Sequence, residues 1–302
     1  MWIKFKEWAD EYAVNGFYRT EMLGAKFLVV SDEKVAEELF VKRAKFNSDR
    51  PAIRSLFDPK STFGSMEYLP LMGKNDAANT QYRDLLCHKS KRWLARLIEN
   101  PDDFASSLED MASKITCQLT WDDPNVSEDL TKSAWKLLTQ ISPAGPITNI
   151  LTPLWDLPWL LNPWKQAERR RHEELQAWWM ERLITTRQGM EKGEQRPCYT
   201  KDFLEKGNKA YGISGDYEAS SAFGMLALVG IFTVAGPLGF YLIAMVHHPD
   251  WQARVQREVD EVCNGRPPTL DDRANLPVLR ACIKETMRWR PNVPTARILS
   301  SV

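Results

Sequence analysis

Residues 276–294 read LPVLRACIKETMRWRPNVP. From Leu276 to Arg290 they suit one helix, which must stop before Pro291 because a proline disfavours helical backbone in the residue ahead of it. Within it Glu285 and Arg288 stand three residues apart, so carboxylate and guanidinium share a face and can pair. A surface pair of this kind contributes under about 1 kcal/mol and arises often by chance. The spacing alone therefore identifies nothing, and the weight falls on its setting.

Moving upstream, His248-Pro249-Asp250 opens a helix with proline at its first position. Val255, Val259 and Val262 form its apolar face and Gly265 ends it. Before it, residues 222–246 read AFGMLALVGIFTVAGPLGFYLIAMV, 25 residues without a charge. That length satisfies a membrane span. No Lys/Arg cluster flanks either end, and a helix enclosed on all sides within a helical domain accounts for the run equally well. Both environments stay open at this point.

Earlier segments are helical too. A long charged helix is expected from about Trp164 to Gly193. Leu130, Ala134, Leu137, Leu138 and Ile141 mark another, Phe104 to Leu119 a third, and Tyr82 to Ile98 a fourth stopped by Asn100-Pro101. Five prolines fall between 143 and 163, with Trp155 and Trp159 among them. That composition suits a packed linker or a lip facing membrane or ligand. The first 30 residues predict a short helix (Trp2, Phe5, Trp8) and a hairpin, with Ser31 capping the helix that follows. An irregular stretch is expected from Asn47 to about Thr80.

Composition excludes several classes. Hydrophobic residues make up 43% of the 302 and charged residues 26%, enough core to argue against disorder. Forty basic and forty acidic residues cancel, which removes the electrostatic argument for a nucleic-acid partner. The run Arg169-Arg170-Arg171 is bracketed by Glu168, Glu173 and Glu174 and reads as a solvated helix face. Five scattered cysteines without a Cys-x-x-Cys pair argue against a disulfide framework and a zinc site. Met1–Asp10, already amphipathic and charged, predicts no secretory leader.

The text LPVLRACIKETMRWRPNVP closely resembles the K-helix of cytochromes P450, whose Glu-x-x-Arg pair supports the haem core. HHPDWQARVQREVDEV is similar to the same family's J-helix, and the uncharged run falls where its I-helix crosses the haem. FKEWADEYAVNGFYRTEMLGAKFLVVSDEKVAEELFVKRAKFNSDRP resembles the A-helix, first sheet and B-helix of fungal members, and NPDDFASSLEDMASKI also resembles members of fungal secondary metabolism. The resemblance implies a mainly α, partial cytochrome P450 fold with a small N-terminal β-sheet element, one domain over residues 1–302 from A-helix through K-helix.

Carried over by residue, the I-helix motif falls on Val229-Gly230-Ile231-Phe232-Thr233. It implies Thr233 as the catalytic residue assisting dioxygen activation, and Gly230 with Thr233 beside the cofactor. Glu285 and Arg288 would support the haem core, and Phe232 and Val229 would line the substrate pocket. Phe232 replaces the family's usual acid, and a phenyl ring cannot relay a proton. For Thr233 the plainer alternative is a core threonine bonded back to the preceding turn. Pro237 cannot donate to the Thr233 carbonyl, so a kink and an open groove are expected there.

Other family features have no counterpart in the text. LMGKNDAANTQ stands where the C-helix Trp-x-x-x-Arg is expected, and no stretch matches the Phe-x-x-Gly-x-Arg-x-Cys-x-Gly loop whose thiolate ligates haem iron. The N-terminal membrane anchor of fungal members has no match either. The resemblance implies a haem-thiolate monooxygenase for a small apolar metabolite, fed by NADPH–cytochrome P450 reductase at the endoplasmic reticulum membrane. A second expectation is an inactive fragment or pseudoenzyme, cytoplasmic or loosely membrane-associated. A third is a membrane protein spanning at 222–246.

Overall fold

Apolar side chains recurring every three to four residues make this chain mainly α-helical, with a two-stranded sheet near its start. A computed structural model describes residues 2–22, 25–47, 82–141, 145–149, 151–207 and 212–291. The irregular stretch expected at 47–80 and the C-helix region at 71–81 lie almost wholly outside these residues. The chain divides into two compact units, one of residues 1–54 with 293–302 and one of 55–292.

In the first unit, α1 (Trp2–Tyr12) leads through a tight turn to β1 (Phe17–Met22), which pairs antiparallel with β2 (Ala25–Val30). Phe17 lies opposite Val30 and Met22 opposite Ala25. The turn uses Asn15 and Gly16, both at positive φ. Gly16 is required twice over, because a Cβ there would also meet Asp32 Cβ at 2.3 Å. Helix α2 (Glu33–Glu37) passes into a π-helical turn, Glu38–Lys42, and then α3 (Ala44–Asn47). Its cap is Asp32, whose carboxylate accepts from the Val35 amide at 3.0 Å. The expected cap, Ser31, instead donates its hydroxyl to the Gly16 carbonyl. The turn has claimed Ser31, and the cap moves one residue on.

The second unit is built from helices. They are α4 (Arg83–Glu99), α5 (Phe104–Trp121), α6 (Ser127–Ile141), α7 (Pro163–Glu191), α8 (Tyr199–Lys206), α9 (Asp216–His247), α10 (Pro249–Cys263) and α11 (Pro277–Trp289). The uncharged run lies in α9, which packs most extensively on α5 and also against α6, α7, α10 and α11. Ala112, Ile115 and Leu119 of α5 meet Met225, Leu228 and Ile231 of α9 in the main core, with Leu130 and Leu137 of α6 and Trp179 of α7.

Burial along α9 is lopsided. From Ala219 to Leu228 every residue but Leu226 is buried, and Ile231 is too. A polar lock holds this part to α7: Gln176 Nε2 donates to Ser220 Oγ at 2.8 Å, and Ser221 Oγ donates to Gln176 Oε1 at 2.7 Å. Beyond Ile231 the helix is much less covered, and Val234, Leu238, Ile243 and Val246 are exposed.

Candidate functional site

Helix α9 carries four of the sequence-selected residues. Gly230 lies where α9 crosses α5 closely, since a Cβ on it would fall 2.7 Å from Thr116 Cγ2. Its first physical role is thus to let two helices approach. Val229 packs against the main core. Phe232 stacks edge-on against Trp135 of α6, with ring centroids 4.7 Å apart at 68°, a favoured aromatic geometry. The position that holds an acid in the resembled motif is here occupied by a packing residue.

Thr233 is exposed, and its hydroxyl donates to the Val229 carbonyl at 3.0 Å and to that of Gly230 at 3.4 Å. This is the back-bonded arrangement of a helical threonine. Four residues on, Pro237 sits inside the helix without interrupting it. Lacking an N–H, it cannot give the Thr233 carbonyl the usual helical donor.

The other two residues lie on α11. Arg288 donates through Nε to Glu285 Oε2 at 2.8 Å and through Nη2 to Oε1, so the pairing predicted from the spacing is present. The Arg288 guanidinium holds the Glu285 carboxyl below its ordinary range. Both side chains are open to water, at 61% and 73% exposure. Among the described residues no hydrogen bond joins the pair to Thr233.

What positions α11 is a residue the sequence reading did not single out. Glu258 of α10 receives the Val278 amide at 2.8 Å and the Leu279 amide at 2.9 Å, one on each carboxylate oxygen. It satisfies two of the amides a helix start leaves bare and places negative charge at the positive end of the dipole. Val278, Leu279 and Cys282 then pack with Val255, Tyr241, Ala244 and Met245. An acid 20 residues upstream carries no local capping signature. Asn162 was equally overlooked, although an Asn directly before Pro163 is a readable helix start.

Where α9 and α11 end side by side, a cavity of about 450 Å³ is lined by Phe240, Ile243, His247, His248, Trp289 and Arg290. It contains neither Thr233 nor the Glu285–Arg288 pair.

A haem thiolate needs a cysteine that ionises readily and is accessible. Burial pushes the Cys198 thiol up to about 11 and raises Cys117 and Cys282 as well. Cys198 also serves as the cap of α8, its Sγ accepting from the Lys201 amide. Cys263 is buried, and Cys87 sits mid-helix in α4. The four buried cysteines do not fit an axial ligand.

Known proteins place this arrangement. A cytochrome P450 of zebra fish, solved with progesterone, matches with a TM-score of 0.70 at 19% identity over 96% of this chain and 70% of that one. The cytochrome P450 monooxygenase virE of Hypocrea virens is 29% identical over 96% of this chain and 55% of its own length. The monooxygenase fogE of Aspergillus ruber is 28% identical over 96% and 56%. The chain thus spans about half the length of these two relatives. The cytochrome P450 family model matches residues 91–301, and the chain belongs to that family.

Proposed function

We propose that the intact protein is a haem-thiolate monooxygenase that oxidises a small apolar metabolite of fungal secondary metabolism. Electrons come from NADPH through a cytochrome P450 reductase, at the endoplasmic reticulum membrane. Residues 1–302 form one partial domain, and alone they do not catalyse. The observation that carries this reading is α9, whose uncharged run 222–246 leaves Thr233 and several apolar side chains exposed beyond Ile231.

In this reading Gly230 and Thr233 face the cofactor, Val229 and Phe232 border the substrate, and Glu285 with Arg288 supports the haem core. Pro237 shapes the groove at the Thr233 carbonyl. The four buried cysteines of this chain do not suit the haem ligand that the reading requires.

Two spectra test the proposal. The purified chain, given haem, reduced and exposed to carbon monoxide, should show no thiolate–carbonyl Soret band; such a band would overturn its inactivity. A soluble chimera joining residues 1–291 to the remaining C-terminal portion of the Hypocrea virens relative should show the band. A folded chimera without it would sink the monooxygenase reading.

The spanning reading for 222–246 rests on α9, which by length and composition could cross a bilayer. Against it stand the enclosed first half, the lock formed by Gln176, Ser220 and Ser221, and the close approach at Gly230.

A further inference from the structure

Helix α4 has one face on the core and the opposite one turned to solvent. Leu85, Leu86 and Trp93 pack inward, and Trp93 Nε1 donates to Ser107 Oγ of α5 at 3.1 Å. Arg96 reaches across the same junction to Asp110 at 2.8 Å and Asp103 at 2.9 Å. At about 3.6 residues per turn the far face carries Lys91, Ala95 and Ile98, with Leu94 and Glu99 on its borders. Ile98 is 83% exposed and Leu94 49%. Single apolar side chains in water are ordinary. What marks this pair is the charge to either side of it.

Lys89, Lys91 and Arg92 occupy the middle of the helix, while Glu99 is its last residue and Asp102 lies in the 3₁₀ turn Pro101–Asp103 that follows. Glu99 is ill placed, because a helix ends at the negative pole of its dipole. Among the described residues Lys91, Glu99 and Asp102 form no ion pair or side-chain hydrogen bond. Burial, with Arg92, Lys114 and Arg196 beside it, pushes the Lys89 ammonium below its ordinary pKa. Positive charge thus gathers at one end of an apolar strip and negative charge at the other, and neither is answered within the chain.

A second copy lying antiparallel answers both. Turned about a twofold axis beside residues 96 and 97, Ile98 of each chain seats on Ala95 of the other, a side chain small enough to let two helices approach. The same register carries Lys91 of each chain toward the Glu99–Asp102 end of the other. Every contact then occurs twice, which is the self-complementarity a twofold interface requires. The strip is a single helix wide, so the area falls at the low end for protein contacts and the association is weak.

We infer that the outer face of α4 is the contact surface of a weak, twofold-symmetric dimer of this chain. The inference depends neither on the monooxygenase reading nor on what covers α9.

Sedimentation velocity over a concentration series tests it. The chain should pass from monomer to dimer with a dissociation constant in the micromolar range or weaker, and added salt should weaken it further. Ile98→Asp should raise that constant about tenfold or more without changing the thermal midpoint, since the side chain is exposed. Lys91→Glu, and separately Glu99→Lys with Asp102→Lys, should each stay monomeric where the parent dimerises. Mixed one to one, these two variants should dimerise again, because every facing pair is then opposite in sign. A chain monomeric at every concentration would overturn the proposal. So would association that survives Ile98→Asp, as it would through the exposed side chains of α9, or charge variants that dimerise no better mixed than alone.

Discussion

Gly224 of α9 lies against the indole of Trp179, so close that a Cβ on it would sit 2.2 Å from the ring carbon Cδ2. Trp179 is fully buried, and α7 and α9 meet at this depth because the glycine has no side chain. The contact seats the N-terminal half of the helix on which the family assignment turns.

The glycines of α9 should accordingly separate by neighbour. Gly224→Ala forces a large buried ring to shift and should cost about 1–3 kcal/mol or more. Gly230→Ala, against the tip of Thr116, should cost less. Gly239→Ala meets Leu108 Cδ1 at an ordinary 3.7 Å and should gain up to about 1 kcal/mol from helix propensity. Urea midpoints in any other order would contradict the packing described.

Glu258→Ala should loosen α11, because two amides lose their acceptor and the helix start its charge. A loss of about 1–2 kcal/mol is expected, with faster amide exchange at Val278 and Leu279. Glu258→Gln, left with one acceptor oxygen, should fall between the two. Unchanged exchange in the alanine variant would show that packing alone seats the helix.

Phe232→Asp would restore the acid of the resembled motif, yet here it should destabilise. The aromatic pair with Trp135 is lost and a carboxylate enters a half-covered position. A double-mutant cycle with Trp135→Ala and Phe232→Ala should give a coupling of about 0.5–1.5 kcal/mol. A coupling of zero would dismiss the contact.

Asp272 supplies the pH dependence. Arg266 forks onto it, and the Thr269 amide and hydroxyl add to the hold, keeping its carboxyl well below the usual carboxylate range. The unfolded chain takes up this proton more readily. The contribution is thus complete above the ordinary aspartate pKa of about 4 and fades as the pH falls below it. Asp272→Asn should be less stable than the parent at pH 7, with the gap narrowing on acidification below about pH 4. A gap constant from pH 7 to pH 3 would contradict this.

Thiol chemistry should follow burial. At pH 8 an alkylating agent should modify half-buried Cys87 first, and reach Cys117 and Cys198 only on unfolding. Peptide mapping by mass spectrometry reads the order.

Whatever depended on local spacing was legible in the sequence. The hairpin, the helix beginning at Pro249 and the Glu285–Arg288 pair follow from alternation, a first-turn proline and an i,i+3 interval. What escaped depended on neighbours distant in sequence. Nothing near Gly224 announces Trp179, nothing near Val278 announces Glu258, and Phe232 read as a missing acid until Trp135 was found beside it. Ser31 lost its cap because Gly16 had already engaged it.

The unequal covering of α9 makes it a bridge beam, seated over Ala219–Ile231 and again at Ala244 and Met245, with most of the span from Phe232 to Ile243 half-covered or bare. Deuterium should therefore enter that span early, leaving Ala219–Ile231 protected longest.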